Sequence, residues 1–414
     1  MKALRLLGQT MLATARHPSI KRHLARNVVA VLVVLALPGL ADAKARYSVK
    51  TMGDIVQLRD AQTDTVVSVL LPVNNAYEMV VKGHNVIRMT LKSVDEMRAR
   101  PALNGVPFLA PFANRLDQDA FYANGQKYNF DMELGNVRGA VPIHGYLNGT
   151  NAWKVQQVKA DATGSWVTSK LDFYKYPDYM KQFPFAHTLT MTYKLSGGVL
   201  EVRTKIDNLS AVPMPVAIGF HPYFALTDSV RNDWVLNAPL KSHWLLSDIK
   251  VPSGEIEPSE TFFGGDSHSV PLSRFATKGI DDVFSDIERD DQGRGTISIQ
   301  GAHQSISLTV GPKFRSIVLF STVPAPPGGG GGRGGAAAGP AAPVPPPVSV
   351  GPPVPLSATV DAPAPPDRGF VAIEPYAGVT DSMNLSQKGL YKDLQSIQPG
   401  GSWQESFWIK PRGY

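Results

Sequence analysis

Between Asn151 and Asp207 four β-type runs follow one another, NAWKVQQVKA, SWVTSKLDFY, HTLTMTYKL and GVLEVRTKI, each bounded by Gly, Ser or Asp. That spacing constrains the fold more than any other feature of the chain. Short runs rich in β-branched and aromatic residues, separated by turn residues, pair into sheets through tight connections. The same grammar holds on both sides. TVVSVLLPV (65–73) and YEMVVKGHNVIRMTL (77–91) are separated by Asn74-Asn75, with Gly83-His84-Asn85 as a hairpin tip that leaves His84 in solvent. GTISIQ, SISLTV, SIVLFST and the closing SWQESFWIKP read the same way. Helical periodicity is confined to one short turn around 93–100. The expected fold class is all-β, a β-sandwich or barrel. At 414 residues, 43% of them hydrophobic and 18% charged, the chain can fill one large all-β domain or two ordinary ones.

The ends and one internal stretch are exceptions. A basic region is followed by the apolar run NVVAVLVVLALPGL (27–40) and then by Ala41-Asp42-Ala43, the layout of a secretory signal peptide with its cleavage site. The run is broken by Pro38 and Gly39 and is shorter than the roughly 20 apolar residues of a spanning helix. Residues 1–43 are therefore expected to be removed, giving a periplasmic or secreted protein that begins at Lys44 and keeps no stable membrane anchor. The formal charge of +6 is concentrated there: the leader holds six basic residues and one acid, leaving +1 for the remainder. No basic field is left to attract nucleic acid, which is not an expected partner. No cysteine is present, so disulfides, zinc–thiolate sites and cysteine nucleophiles are excluded. In 324–367, 9 of 44 residues are Gly and 14 are Pro, too many for regular structure, and the stretch is expected to be a disordered insertion. The single domain would then comprise 44–323 and 368–414.

Several polar residues sit where the strand grammar breaks. In AIGFHPYFAL (217–226), Pro222 pushes His221 toward extended geometry and cannot donate to a ladder, so the strand is expected to stop or lie at an edge. GVPFLAPFANRL (105–116) leads to Asn114-Arg115, an amide beside a guanidinium. FYANGQKYNF carries the hairpin signal Asn124-Gly125. His144-Gly145 puts an imidazole beside a residue that permits close backbone approach. GIDDVF (279–284) sets Asp281 and Asp282 in an expected loop, and Glu374-Pro375 is expected to end a strand. Taken singly, each of these fits a packing role as well as a chemical one. No H-E-x-x-H or similar ligand spacing is present, which leaves no expected metal site.

In this order and spacing, Asn114-Arg115, the 121–128 hairpin, His144-Gly145, His221-Pro222-Tyr223-Phe224, 279–284 and Glu374-Pro375, with Asn384 ten residues on, resemble the aldose 1-epimerase (mutarotase) family, the galactose mutarotase-like enzymes. The resemblance spans 47–410 apart from the insertion, and the HPYF form points to a broad branch of the family. Two departures stand out: Ala225 occupies the place of an asparagine usual in galactose mutarotases, and Tyr146 that of a second glycine. The resemblance implies the family's large antiparallel β-sandwich, the galactose mutarotase-like supersandwich. It also implies interconversion of the α and β anomers of an aldose. That reaction removes the C1 hydroxyl proton while protonating the ring oxygen, which an acid–base pair achieves without metal or cofactor. By resemblance Glu374 is the base and His221 the acid, with His144, Arg115, Asn114 and Asp281 on the sugar. Tyr223, Phe284 and Tyr376 are candidates to cover its apolar face. A non-catalytic carbohydrate-binding protein on the same fold and a hexose-6-phosphate mutarotase are the alternatives, the latter disfavoured by the near-neutral remainder and the signal.

Overall fold

The computed structural model describes residues 45–323 and 368–414, apart from 92, 100, 102 and 134. The expected signal segment, 1–43, and the expected insertion, 324–367, lie outside the described residues.

Among the described residues, strands Tyr47–Met52, Ile55–Asp60, Thr65–Leu70, Asn75–Val81 and His84–Asn85 form a five-stranded meander in chain order. A nine-stranded sheet begins with Lys154–Asp161, Gly164–Leu171, His187–Ser196 and Val199–Asn208, the four runs between 151 and 207. It continues through Ser402–Arg412, Ser305–Val310, Gly295–Gln300, Val235–Asn237 and Val270–Pro271, so the C-terminal strand lies at its middle. An eight-stranded sheet runs Pro252–Pro258, Leu240–Leu246, Ile280–Ile287, Ser316–Ser321, Val371–Tyr376, Gly219–Phe220 and Phe108–Leu109, with Tyr223–Phe224 also on Val371–Tyr376. Pairing between these strands is antiparallel. The expected short helical turn is the helix Val94–Ala99.

Burial explains the layering. Every second residue of Leu189–Leu195 and of Leu200–Asn208 is buried, the alternation of a sheet with one face on a core. Inward residues of the two large sheets share one apolar cluster, in which the Phe220 and Phe407 rings stand 4.8 Å apart. The architecture is a β-sandwich. Val371–Tyr376 differs because all six of its residues are buried. One of its faces meets the sandwich core, and the other carries Glu374 and Tyr376.

Several local expectations are corrected. The tight turn after Val81 is Lys82-Gly83, both at positive φ, one residue earlier than expected, because the left-handed region is needed at both central positions. His84 is exposed as expected. Asn124-Gly125 forms the expected turn, with φ of 53° and 73°. Residues 280–287 are a strand and not a loop: Asp281 and Asp282 pair with Phe320 and Leu319, and side-chain alternation sends them to opposite faces. The His221 strand is interrupted rather than ended, since Gly219 and Tyr223–Phe224 both pair with Val371–Tyr376. Pro375 does not stop its strand either; it pairs with Ile317. On the other edge, Ile373 N–H donates to the Pro222 carbonyl and Ala377 N–H to that of Ile218. Pro375, between them, has no N–H to give, so the ladder opens beside His221.

The flanks of 324–367 are tied together: Ser321 Oγ donates to the Phe370 carbonyl at 2.6 Å, and Ser316–Ser321 pairs with Val371–Tyr376. A short linker can span them. Replacing 324–367 by a few Gly/Ser residues is expected to shift Tm by no more than about 2 °C, because loop-closure entropy varies slowly with length. A fall of ten degrees would mean that the stretch packs against the domain.

Past Glu374 the chain enters a buried loop around Asp381, whose Oδ1 accepts from Asn384 Nδ2 at 2.8 Å and from the Asp117 N–H at 3.3 Å. Its Oδ2 is buried without a partner. Burial, and then the charge of Asp117, push the Asp381 carboxyl up to about 8. A folded-state value above the unfolded one favours the fold at low pH, and the contribution is lost as pH rises from about 4 through 8. Asp381→Asn is therefore expected to melt roughly 3–5 °C above wild type at pH 9, a gap that closes below pH 5. Parallel melting curves at every pH would refute this assignment.

Candidate active site

The segment 105–116 positions most of the polar residues. It runs beside the His221 strand, with Phe112 bridging Ala217 and Ala113 N–H donating to the Ala217 carbonyl at 2.7 Å. It then turns at Asn114, φ 57°, so that Arg115 bridges Ile143. His144 and Gly145 are both left-handed, at 60°. Asn114 and His144 lock this corner: His144 N–H donates to the Asn114 carbonyl at 2.8 Å, and Asn114 N–H donates to His144 Nδ1 at 3.2 Å. Nδ1 is thus an acceptor, which leaves the proton of a neutral ring on Nε2. Burial, and then the charges of His221, Arg115 and Arg138, hold His144 well below the usual imidazole range. It is a neutral donor.

Asn114 Oδ1 accepts from Arg115 N–H at 2.9 Å and from Arg115 Nη1 at 3.0 Å, so the amide oxygen braces the guanidinium. Arg115 Nη2 faces Asp281 Oδ2 at 3.8 Å. Burial pulls Arg115 down from the usual guanidinium value while Asp281 opposes it, and the group stays charged. Asp282, on the other face, accepts from or shares a proton with His243 Nε2 at 3.2 Å, and His243 Nδ1 lies 2.8 Å from Glu257. Alternation along one strand therefore separates the two carboxylates, and Asp281 alone of them reaches the cluster.

His221 and Glu374, 153 positions apart in sequence, meet with Nε2 3.1 Å from Oε1. Both are buried. The Tyr223 ring stacks on His221 at 4.4 Å with its hydroxyl 3.3 Å from Nε2, and the Tyr376 hydroxyl donates to Glu374 Oε2 at 2.5 Å. Burial pushes His221 down to about 3. Burial likewise pushes Glu374 well above the usual carboxylate range, against the Tyr376 hydrogen bond. Both directions favour the uncharged forms, so the pair's proton rests on Glu374, 3.1 Å from the His221 Nε2 that would receive it.

One pocket is lined by Asn114, Arg115, His144, His221, Asp281 and Glu374 together. All six expected site residues are brought to it. Leu103, Arg138, Ile143, Tyr223 and Phe320 complete its wall. A larger hollow, lined by Trp244, Arg289, Arg315 and Lys392 among others, holds none of the six. Among the aromatic candidates, Tyr223 lines the pocket and Tyr376 supports Glu374. Phe284 does neither; it stacks on Phe263 at 5.0 Å on the core face. Among the described residues no group of His, Cys, Asp and Glu has the arrangement of a metal site.

The family model for aldose 1-epimerase matches residues 78–409. The chain belongs to the aldose 1-epimerase family. Among curated proteins, it is 25% identical over 146 residues to YihR, an uncharacterized protein of Escherichia coli K12, a match spanning 35% of this chain and 44% of that one. A galactose mutarotase-like protein of Clostridium acetobutylicum is 19% identical with a TM-score of 0.66, over 89% of this chain and 98% of its own. Galactose 1-epimerase of Lactobacillus acidophilus is 12% identical with a TM-score of 0.61, over 88% and 98%. At these identities the structures share the fold, and the family membership supports mutarotase-type chemistry on a sugar.

Proposed function

We propose that the chain is an exported aldose 1-epimerase that opens and recloses the hemiacetal ring of an aldose. The observation that carries this reading is the meeting of Glu374 and His221 inside a pocket of hydroxyl-binding groups. Glu374 accepts the C1 hydroxyl proton as His221 protonates the ring oxygen, the C1–O5 bond breaks, and rotation about C1–C2 precedes reclosure with the roles reversed. The pair's single proton must first pass from Glu374 to His221 along their contact, and the cycle then needs no other proton, so none leaves the site. His144 donates its Nε2–H to a sugar oxygen, Asp281 and Arg115 hold hydroxyls, and Asn114 braces Arg115. The Tyr223 ring lies against the sugar, and the Tyr376 hydrogen bond orients Glu374. No metal or cofactor is invoked.

Polarimetry on freshly dissolved α-aldoses, corrected for spontaneous mutarotation, tests this directly. A rate above background on at least one aldose is expected. Binding without any acceleration would transfer the reading to a carbohydrate-binding protein. Export is tested separately by N-terminal sequencing of protein from a periplasmic fraction, where Lys44 is the expected first residue. An intact Met1 on a membrane-bound product would refute it.

A further inference from the structure

We propose that Arg138 selects aldoses bearing a singly charged anionic substituent, hexuronic acids being the class that fits. This rests on the mutarotase reading of the same pocket and adds its substrate class. Arg138 belongs to the small hairpin Val137–Arg138 and Val141–Pro142, which turns at Gly139 with φ 63° just before His144. It is exposed and lines the pocket. Its backbone pairs with Val141, but among the described residues its guanidinium has no hydrogen-bond or ion-pair partner.

The other charges of the pocket are matched. Arg115 faces Asp281 at 3.8 Å, and His221 Nε2 is paired with Glu374 Oε1 at 3.1 Å. His144, with Nδ1 accepting a backbone N–H, is neutral. One positive charge is left over, on a group that touches the ligand space and can still move to meet it. Outside residues 1–43 the chain carries only +1 net, so no overall positive field draws anions to it. A neutral hexose offers it hydroxyls alone. A carboxylate offers two coplanar oxygens that match the guanidinium fork and cancel its charge. A phosphate dianion would leave one negative charge unmatched, since Arg115 is already held by Asp281. Arg138 also acts electrostatically on Arg115, His144 and Tyr223, so the carboxylate would lie along that wall and leave Glu374 to the hemiacetal.

The test measures kcat/KM for mutarotation of galacturonate and glucuronate against galactose, glucose and glucose 6-phosphate. Wild type, Arg138→Gln and Arg138→Lys are compared at low and high ionic strength. Wild type is expected to prefer a uronate to its matched hexose by about ten- to a hundredfold. That ratio is expected to collapse in Arg138→Gln, recover in part in Arg138→Lys, and shrink with salt. A ratio near one in wild type, or one that Arg138→Gln leaves intact, would overturn the proposal. So would a preference for glucose 6-phosphate over the uronates that vanishes with Arg138, which would assign the residue to a phosphosugar. If no aldose is turned over, the mutarotase reading fails by itself. Equilibrium binding of uronate against hexose, followed by ligand-observed NMR in wild type and Arg138→Gln, then decides the charge preference.

Discussion

Replacing Glu374 by Gln, or His221 by Asn, is expected to lower catalysed mutarotation by about 10²–10⁴-fold while leaving the protein folded. Both changes roughly keep shape and hydrogen bonding but remove a proton carrier. In Glu374→Gln the new amide would still accept from the Tyr376 hydroxyl. In His221→Asn the shorter side chain would give up the stacking on Tyr223 but keep a polar group beside Glu374. His144→Asn is expected to cost less, because His144 donates a hydrogen bond and carries no proton through the cycle. The pH profile gives a second check. Burial lowers His221 and raises Glu374, and between their two titrations the pair holds a single proton. Within that range the partition between the neutral form and the carboxylate–imidazolium form is independent of pH. The rate should therefore show a broad plateau, falling in acid as the pair gains a second proton and in alkali as it loses its only one. Near-wild-type turnover in Glu374→Gln, with an unchanged circular dichroism spectrum, would remove Glu374 as the base.

How much of this site is legible in the sequence follows from periodicity. Strands with one solvated face announce themselves by alternation, and the 151–207 meander is readable for that reason. Val371–Tyr376 is readable as a strand, but its continuation through Pro375 is not, because proline ordinarily marks an end. Only the gap in the neighbouring strand at Pro222 makes an N–H at position 375 dispensable, and that neighbour is distant in sequence. Period two alone ties Tyr376 to Glu374, since residues i and i+2 share a face. The same rule separates Asp281 from Asp282, once the stretch is known to be a strand. Arg138 carries no signal. It sits in a short hairpin without β-branched periodicity, and only its three-dimensional closeness to His144 and Tyr223 brings it to the pocket.

Gly145→Ala is expected to destabilise the protein by about 3–4 kcal/mol, lowering Tm by roughly 5–10 °C, and to cost activity through His144. At φ 60° a side chain is strained whatever its surroundings. Here the surroundings add a clash: a Cβ would stand 2.0 Å from the Ala110 carbonyl oxygen and 2.8 Å from Pro111 N. Both are backbone atoms and cannot rotate away. That carbonyl accepts from Tyr146 N–H at 3.0 Å and Leu147 N–H at 3.2 Å, so pushing it aside loosens two hydrogen bonds. His144 immediately precedes the displaced residue, and its contacts to the Asn114 backbone would move with it. Gly139→Ala supplies the comparison. Its φ is 63°, yet nothing lies within 4 Å of a Cβ there, so only the left-handed strain of about 1 kcal/mol is expected. Denaturant melts of the two variants separate clash from strain. If Gly145→Ala loses no more stability than Gly139→Ala, the backbone contact at Ala110 is not what fixes the His144 corner.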